Sequence, residues 1–402
     1  MYKRPPSTLD PSKIETPAYV IEEDLLRHNL AILKDVRDKT GCKVFHALKA
    51  WATWPLFNIT RDYLSGTEVS SLNEARLGFD EFGPEVHMYA PAYKPEEFKN
   101  VLKYSSTVIF NSFSQWKQFR RKVKNSKKPI EVGLRVNPEI CDKDGHGEMW
   151  NPCAPDSRLG IRISEFKAAL EKDPTALEGV SGLHFHIFFE KTLEDLKAAI
   201  PVIEASFGPY LSRVKWVNFG GGQKISDDDY DQEGLIALIK DFQTRHGVQV
   251  HLEPGAAVAW QTGTLVATVL DIVTRSDVPY KMPILDMSFD AHLTDFTIST
   301  DLDLRIRGAE IVRDPAEYAG KPNLYKFGGG TCLAGDKLAY LHSFAEPLKV
   351  GDKIVFEDAI QYTLVKTTMF NGVQHPSIVL WKNGAPQTLR KFGYKDFKGR
   401  MG

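Results

Sequence analysis

The sequence predicts an α/β chain built from a (β/α)8 TIM-like barrel and a C-terminal all-β domain. Three observations carry that expectation. Eight strand-like apolar runs recur before residue 258, amphipathic helical stretches separate them, and the glycine-rich or ionisable residues fall at the C-terminal ends of the runs. Parallel strands need long crossovers, which are usually helical, and barrel active sites occupy the C-terminal face. An open doubly wound sheet is the competing arrangement, and the count of eight favours the barrel. From Val258 the pattern changes to β runs with turns between them. The expected division is an N-terminal arm and strand joining the β domain (1–24), a barrel (25–258) and the C-terminal β domain (259–402).

Pro17-Ala18-Tyr19-Val20-Ile21 reads as a first short strand. Helical periodicity then runs from Glu22 to Thr40 through Leu25, Leu26, Leu30, Ile32, Leu33 and Val36, until Gly41 stops it. The barrel runs are Val44 to Lys49, Thr67 to Ser71, Val86 to Ala90, Thr107 to Asn111, Ile130 to Asn137, Val180 to Phe188, Val214 to Gly220 and Val248 to Glu253. Helices are expected at Ala52 to Tyr63, Leu72 to Phe82, Pro95 to Tyr104, Ser114 to Val123, Leu193 to Phe207 and Gln232 to His246. In the β domain the expected strands are Thr264 to Val273, Met282 to Phe289, Leu304 to Val312, Lys353 to Phe356 and Tyr362 to Thr368. Cys141 to Gly160 is one long polar loop, which reads equally as a lid over the barrel mouth and as plain surface.

Composition excludes several classes. Hydrophobic residues make up 42% and charged residues 26% of the 402, a globular balance. A net charge of −1 offers no field for nucleic acid or anionic lipid. The polar first residues lack the apolar core of a secretory signal, and no run approaches the roughly 18 apolar residues of a membrane span. A cytoplasmic protein is expected. Cys42, Cys141, Cys153 and Cys332 have no C-x-x-C spacing, so neither a disulfide framework nor a zinc ribbon is expected.

Lys49 closes the first barrel run and is a candidate nucleophile or cofactor anchor, although a lone strand-end lysine is ordinarily just solvated. Gly220-Gly221-Gly222 closes the seventh run, where missing Cβ atoms let backbone N–H groups approach a phosphate, or simply make a flexible turn. Glu253, before Pro254 and Gly255, closes the eighth and would keep a pyridine nitrogen protonated, or pair with a nearby cation. His184 and His186 share one strand face. Both metal ligation and stacking on an aromatic cofactor suit them, as does a core role. Gly328-Gly329-Gly330-Thr331-Cys332 in the β domain presents a thiol, with Asp336 four residues after it.

In chain order these pieces resemble the fold-type III pyridoxal phosphate decarboxylases, and most of all the carboxynorspermidine/carboxyspermidine branch. The marks are HALKA, SGTEVSSLNE, LRVNP, GLHFH, NFGGG, LEPG, GGGTCLAGD and YTLVKTTMFNG, spread over nearly the whole chain. The resemblance implies the fold of alanine racemase and ornithine decarboxylase, with pyridoxal 5'-phosphate as cofactor and Lys49 as its Schiff-base lysine. By similarity His186 stacks on the pyridine ring and Glu253 pairs with its nitrogen. Glu68 and Glu74 match the family's acidic pair and Arg135 its strand-five arginine. Gly220, Gly221, Gly222 and Gly255 would cradle the phosphate, with Tyr362 donating to it. Cys332, the candidate for returning a proton to Cα, and Asp336 resemble residues supplied by a partner subunit, which implies a homodimer with shared active sites. Asp295 sits where the family's substrate-selecting segment holds an aspartate. The implied reaction is decarboxylation of an amino acid with a distal amine, within polyamine and spermidine biosynthesis.

Two positions and the segment Thr297 to Asp303 depart from the branch. Ala256 stands where an acidic residue is common, and Phe189 where a cysteine is, so chemistry is expected to be intact and substrate identity open. Rival readings are a different amino-acid decarboxylase, an amino-acid racemase, a metal-dependent hydrolase using His184 and His186, and a regulator that has lost catalysis. Racemisation is favoured by a weaker electron sink than Glu253 would create. Lys49, Glu253 and Cys332 together argue against lost catalysis.

Overall fold

In the computed structural model, residues 3–140, 151–187, 191–299 and 302–402 are described. Phe189 and residues 141–150 of the polar loop lie outside these. A first strand, β1 (Ala18–Glu22), leads into α1 (Glu23–Thr40). Eight parallel strands follow: β2 (Lys43–Ala47), β3 (Gly66–Val69), β4 (Val86–Tyr89), β5 (Thr107–Phe110), β6 (Glu131–Asn137), β8 (Gly182–His184), β9 (Trp216–Asn218) and β10 (Gln249–Leu252). A two-residue strand, β7 (Ile161–Arg162), lies beside the end of β6. Because β5 also pairs with β6 and β10 with β2, the ring closes.

The helices between them are α2 (Phe57–Thr60), α3 (Leu72–Leu77), α4 (Phe98–Tyr104), α5 (Phe113–Lys124), α6 (Ile163–Lys172), α7 (Leu193–Leu211) and α8 (Gln232–His246). Local chemistry sets several of their ends. Ser71 and Ser112 cap α3 and α5 through their hydroxyls, and Gly247 ends α8 in the left-handed conformation at φ 65°. The barrel strands are buried on both faces, as parallel strands wrapped by helices must be.

One side chain fills much of the barrel floor. Trp216 on β9 projects where a Cβ on Gly133 would come within 2.6 Å and one on Gly182 within 2.1 Å, so the neighbouring strands carry glycine at those two positions. His251 stacks on Trp216 with ring centroids 5.0 Å apart, and His87 stacks on Phe45 at 3.7 Å. A packed floor below leaves the C-terminal mouth as the place for chemistry.

The chain divides into two compact units, residues 1–3 with 29–258 and residues 4–28 with 259–402. The second holds a sheet in the order β12 (Met282–Leu285), β11 (Gly263–Val273), β1, β17 (Ser377–Lys382), β18 (Ala385–Arg390), with β16 (Lys353–Glu357) also on β11. A second sheet joins β13 (Ala309–Val312), β15 (Leu341–Phe344) and β14 (Leu324–Tyr325). Short helices α9 (Ala256–Ala259), α10 (Phe289–His292), α11 (Thr294–Ile298), α12 (Thr363–Lys366) and α13 (Tyr394–Met401) complete the chain.

Three expected strands of this region need correction. Tyr362 to Thr368 is not a strand: Tyr362 takes φ 56° and opens α12. Met282 to Phe289 ends at Leu285, because Ser288 caps α10 by accepting from Ala291 N–H at 3.0 Å. Leu304 to Val312 starts only at Ala309, after Gly308 turns the chain at φ 77°. In each case a turn residue outweighs β-branched or apolar composition.

Candidate active site

Lys49 lies two residues past β2, in a tight turn closed by Ala50 N–H on the Ala47 carbonyl at 3.2 Å. Its amine meets Glu68 Oε2 at 3.3 Å, and the other Glu68 oxygen accepts from the Ser70 hydroxyl, also at 3.3 Å. Burial pushes the Glu68 carboxyl up to about 7 against the pull of Lys49, with the charges of Glu253 and Glu74 adding to the rise. Glu74 itself turns away, accepting from Ser70 N–H at 2.7 Å at the start of α3. The expected acidic pair therefore splits into one carboxyl at the amine and one that shapes the turn.

Across the mouth, Arg135, His184 and Asn218 stand in register on β6, β8 and β9. Glu253 follows β10 and is held at both oxygens, by His184 Nε2 at 3.1 Å and Asn218 Nδ2 at 2.5 Å. Burial alone would raise its pKa, but His184 and the Lys49 charge hold it down at about 2. Burial keeps His184 below its ordinary value, so the neutral ring presents Nε2–H to the carboxylate. Asn218 escaped the sequence reading, although it opens the NFGGG stretch at a barrel strand end.

His186 Nδ1 accepts from Gly221 N–H at 2.9 Å, which places the ring proton on Nε2. Burial and the nearby Lys49 charge hold His186 well below its usual range, so the ring is neutral. His184 and His186 are thus engaged separately, and among the described residues no group of three His, Cys, Asp or Glu side chains gathers as a metal site. Each glycine has a steric reason. A Cβ on Gly221 would come 2.2 Å from the Glu253 carbonyl oxygen, and one on Gly255 2.7 Å from Ala50 Cβ. Gly220 and Gly222 take φ 69° and 85°. Among the described residues, the N–H groups of Gly222, Gly255 and Ala256 meet no protein acceptor. Arg135 is buried and donates to the His186 carbonyl at 3.1 Å.

In the sheet unit, Cys332 is exposed, with Asn371 Nδ2 3.0 Å from its sulfur. Asp336 is 4% exposed and accepts from Phe289 N–H, Asp290 N–H, Thr331 N–H and the Thr331 hydroxyl at 2.7, 3.1, 3.2 and 2.6 Å. Its acceptor positions are filled by its own unit. Gly329 lies so close that a Cβ would sit 2.3 Å from this carboxylate. Asp295 is held by Lys366 Nζ at both oxygens, 2.8 and 2.7 Å away, while Lys366 lies 5.5 Å from the Tyr362 ring centroid.

The family description "Pyridoxal-dependent decarboxylase, C-terminal sheet domain" matches residues 18–360. The chain is 41% identical to the carboxynorspermidine/carboxyspermidine decarboxylase of Campylobacter jejuni, over 96% of this chain and 99% of that one. It is 38% identical to the carboxyaminopropylagmatine decarboxylase of Synechocystis, over 97% and 96% of the two chains. Among solved structures, Campylobacter jejuni carboxynorspermidine decarboxylase complexed with norspermidine superposes with a TM-score of 0.85 at 38% identity, covering 96% of this chain and all of that one. Helicobacter pylori diaminopimelate decarboxylase, complexed with L-lysine, shares the fold at 17% identity, with a TM-score of 0.80 and 97% of each chain covered.

Proposed function

Because the chain belongs to the pyridoxal-dependent decarboxylases, we propose that it removes carbon dioxide from a carboxylated polyamine, carboxynorspermidine or carboxyspermidine, leaving norspermidine or spermidine. The observation that carries decarboxylation over racemisation is Glu253, ionised and held at both oxygens. A carboxylate there keeps a facing ring nitrogen protonated, which makes the ring a strong electron sink. The substrate class rests on similarity to relatives that act on carboxylated polyamines.

The barrel mouth fits pyridoxal phosphate in the chemistry of its donors. Lys49 supplies an amine 35% exposed, Glu253 an anion, and His186 a neutral flat ring. The N–H groups of Gly222, Gly255 and Ala256 suit a phosphate, with Tyr362 proposed as a further donor. Bound there, pyridoxal phosphate would supply an electron sink for cleavage of the bond between Cα and the carboxylate. The chain's own residues prepare that event. Glu68, with its pKa near 7, takes up the proton that Lys49 Nζ must lose before its lone pair can attack a carbonyl carbon. His184 and Asn218 keep Glu253 from rotating. Cys332 is proposed to return a proton to Cα.

In this reading the enzyme is a homodimer in which the thiol of one subunit serves the barrel of the other. Supporting it, Cys332 is exposed beside Leu333 at 42% exposure, and its neighbour Asn371 follows Phe370 at 43%. Exposed apolar side chains around a reactive group suit a subunit interface. Asp295 is proposed to meet the substrate's distal cation. The Synechocystis relative supports a second reading, a substrate ending in guanidinium, which a carboxylate accepts through two parallel hydrogen bonds.

Two experiments test cofactor attachment and substrate. Borohydride reduction of the holoenzyme, followed by peptide mapping, is expected to place the label on Lys49. A panel of carboxynorspermidine, carboxyspermidine, carboxyaminopropylagmatine, diaminopimelate and ornithine is expected to give the highest kcat/KM with one of the first two. Label on another lysine sinks the site, and preference for diaminopimelate or ornithine sinks the substrate class.

A further inference from the structure

Tyr89, the last residue of β4, belongs to no motif in the sequence, yet it touches both the candidate site and the loop beside it. It is 6% exposed, and its ring centroid lies 4.6 Å from the Arg135 guanidinium carbon. The same ring tilts against His184 at 5.6 Å. Its hydroxyl donates to Asn111 Oδ1 at 2.8 Å.

Asn111 ties that hydroxyl to the loop. Its Oδ1 also accepts from Gly160 N–H at 2.7 Å, and its Nδ2 donates to the Arg158 carbonyl at 2.8 Å. Asn137 donates to the carbonyl of Leu159 at 3.3 Å, and the Leu159 side chain packs on the cluster of Tyr89, Ile109 and Trp216. Gly160 is required at φ 83°, where a Cβ would come 2.9 Å from the Val136 carbonyl carbon. Residues 158–160 are thus seated by Asn111, by Asn137 and by the cluster that includes Tyr89, and Asn111 links that seating to the Tyr89 hydroxyl.

Arg135 is 5% exposed; its Nη2 donates to the His186 carbonyl, and the guanidinium also interacts with the Tyr89 side-chain hydroxyl. A guanidinium carries five N–H donors, more than these two contacts use. A nearly buried cation with open donors is suited to an anionic oxygen, and a ring face beneath it restrains it most when water is excluded.

We propose that Tyr89 is a positioning residue acting through Arg135. The ring fixes the guanidinium for an anionic oxygen of the cofactor or of the substrate carboxylate, and the hydroxyl makes that placement depend on the seating of residues 158–160. This deepens the reading of the barrel mouth as a pyridoxal phosphate site and rests on it.

The test is a double-mutant cycle with two readouts. Pyridoxal phosphate is titrated into wild type, Tyr89→Phe, Tyr89→Leu, Arg135→Ala and Tyr89→Leu/Arg135→Ala, and KM and kcat are then measured on cofactor-saturated protein. Tyr89→Leu is expected to weaken cofactor affinity about tenfold if the oxygen is the cofactor's, or to raise KM about tenfold if it is the substrate's. Tyr89→Phe keeps the ring and should cost only about two- to threefold. Adding Tyr89→Leu to Arg135→Ala should change neither constant further. If the two single effects multiply in the double variant, or if Tyr89→Leu lowers Tm while both constants stay put, Tyr89 does not act through Arg135. Failure of the wild type to take up cofactor sinks the underlying reading as well, whereas uptake with multiplying effects sinks this inference alone.

Discussion

The barrel mouth and the sheet unit both hold buried or paired carboxylates, but they treat them differently. At the mouth, Glu68 is pushed up to about 7 and Glu253 down to about 2 by surroundings that share one lysine. In the sheet unit, Asp336 is satisfied by four donors and Asp295 by Lys366. Carboxyls driven apart in pKa can divide the tasks of holding and giving up a proton, which is how active sites assign acid and base roles. Asp336, matched by donors of its own unit, organises backbone instead, whereas Asp295 pairs with one side-chain cation. On the proposed reading the barrel is the seat of proton and electron chemistry, and the sheet unit contributes the exposed Cys332 thiol and the Asp295 carboxylate.

The sharpest way to break that division is to separate the two contributions between subunits. Lys49→Ala and Cys332→Ala proteins should each be nearly inactive, and mixing them with verified subunit exchange should restore activity. Random reassortment leaves about a quarter of the sites without either lesion in a two-fold symmetric dimer. No recovery would mean that the sheet unit does not serve a partner's barrel.

A smaller effect probes the barrel side. In Glu253→Gln, His184 and Asn218 keep a partner of nearly the same shape, so folding and Tm should hold while the negative charge is lost. Without it a facing ring nitrogen loses its proton near neutral pH, and kcat should fall on the order of a hundredfold. Because the native carboxyl titrates near 2, wild-type kcat should show no loss from Glu253 as pH falls from 7 to about 4. A Glu253→Gln enzyme within about twofold of wild type would remove Glu253 from the electron-sink role.

The same division governs what could be read from the sequence. Barrel strands follow a burial pattern that composition records, so β2 through β10 emerged, except the two-residue β7; the run expected from Val180 to Phe188 is strand only over Gly182–His184 among the described residues, which puts His186 past the strand end and not on a strand face shared with His184. The C-terminal ends of those strands then located Lys49, His184, His186 and Glu253 without any contact being known. Contacts made by side chains reaching sideways did not emerge. Asn218 clamps Glu253 from the adjacent strand, and Tyr89 meets Arg135 from a strand two places away. Periodicity gives the face of a residue but not its neighbour on that face. In the sheet unit, turns decide the positions of interest. Tyr362 at φ 56° and the Ser288 cap put helix where apolar and β-branched residues had indicated strand. Strands β14, β15, β17 and β18 went unread for a related reason, since they are short or lie beside turns and, in the case of β18, are largely exposed.

The smallest effect tests the sheet unit's remaining carboxylate. Asp295 and Lys366 form a partly exposed pair, with side chains 16% and 39% exposed, so the pair itself is worth roughly 0.2–1 kcal/mol after screening. If Asp295 receives the distal cation of the substrate, the Lys366 ammonium occupies that position beforehand and must be displaced. Lys366→Met should then lower KM for a dibasic substrate by up to about fivefold, the ratio that 1 kcal/mol supports. The gain should shrink as salt rises, because screening already weakens the native pair. Asp295→Asn should act in the opposite direction, raising KM for the same substrate and leaving kcat near its native value. If the pair is only structural, both substitutions will shift Tm slightly and leave KM unchanged. That outcome would take Asp295 out of the substrate site and leave Cys332 as the sheet unit's one chemical contribution.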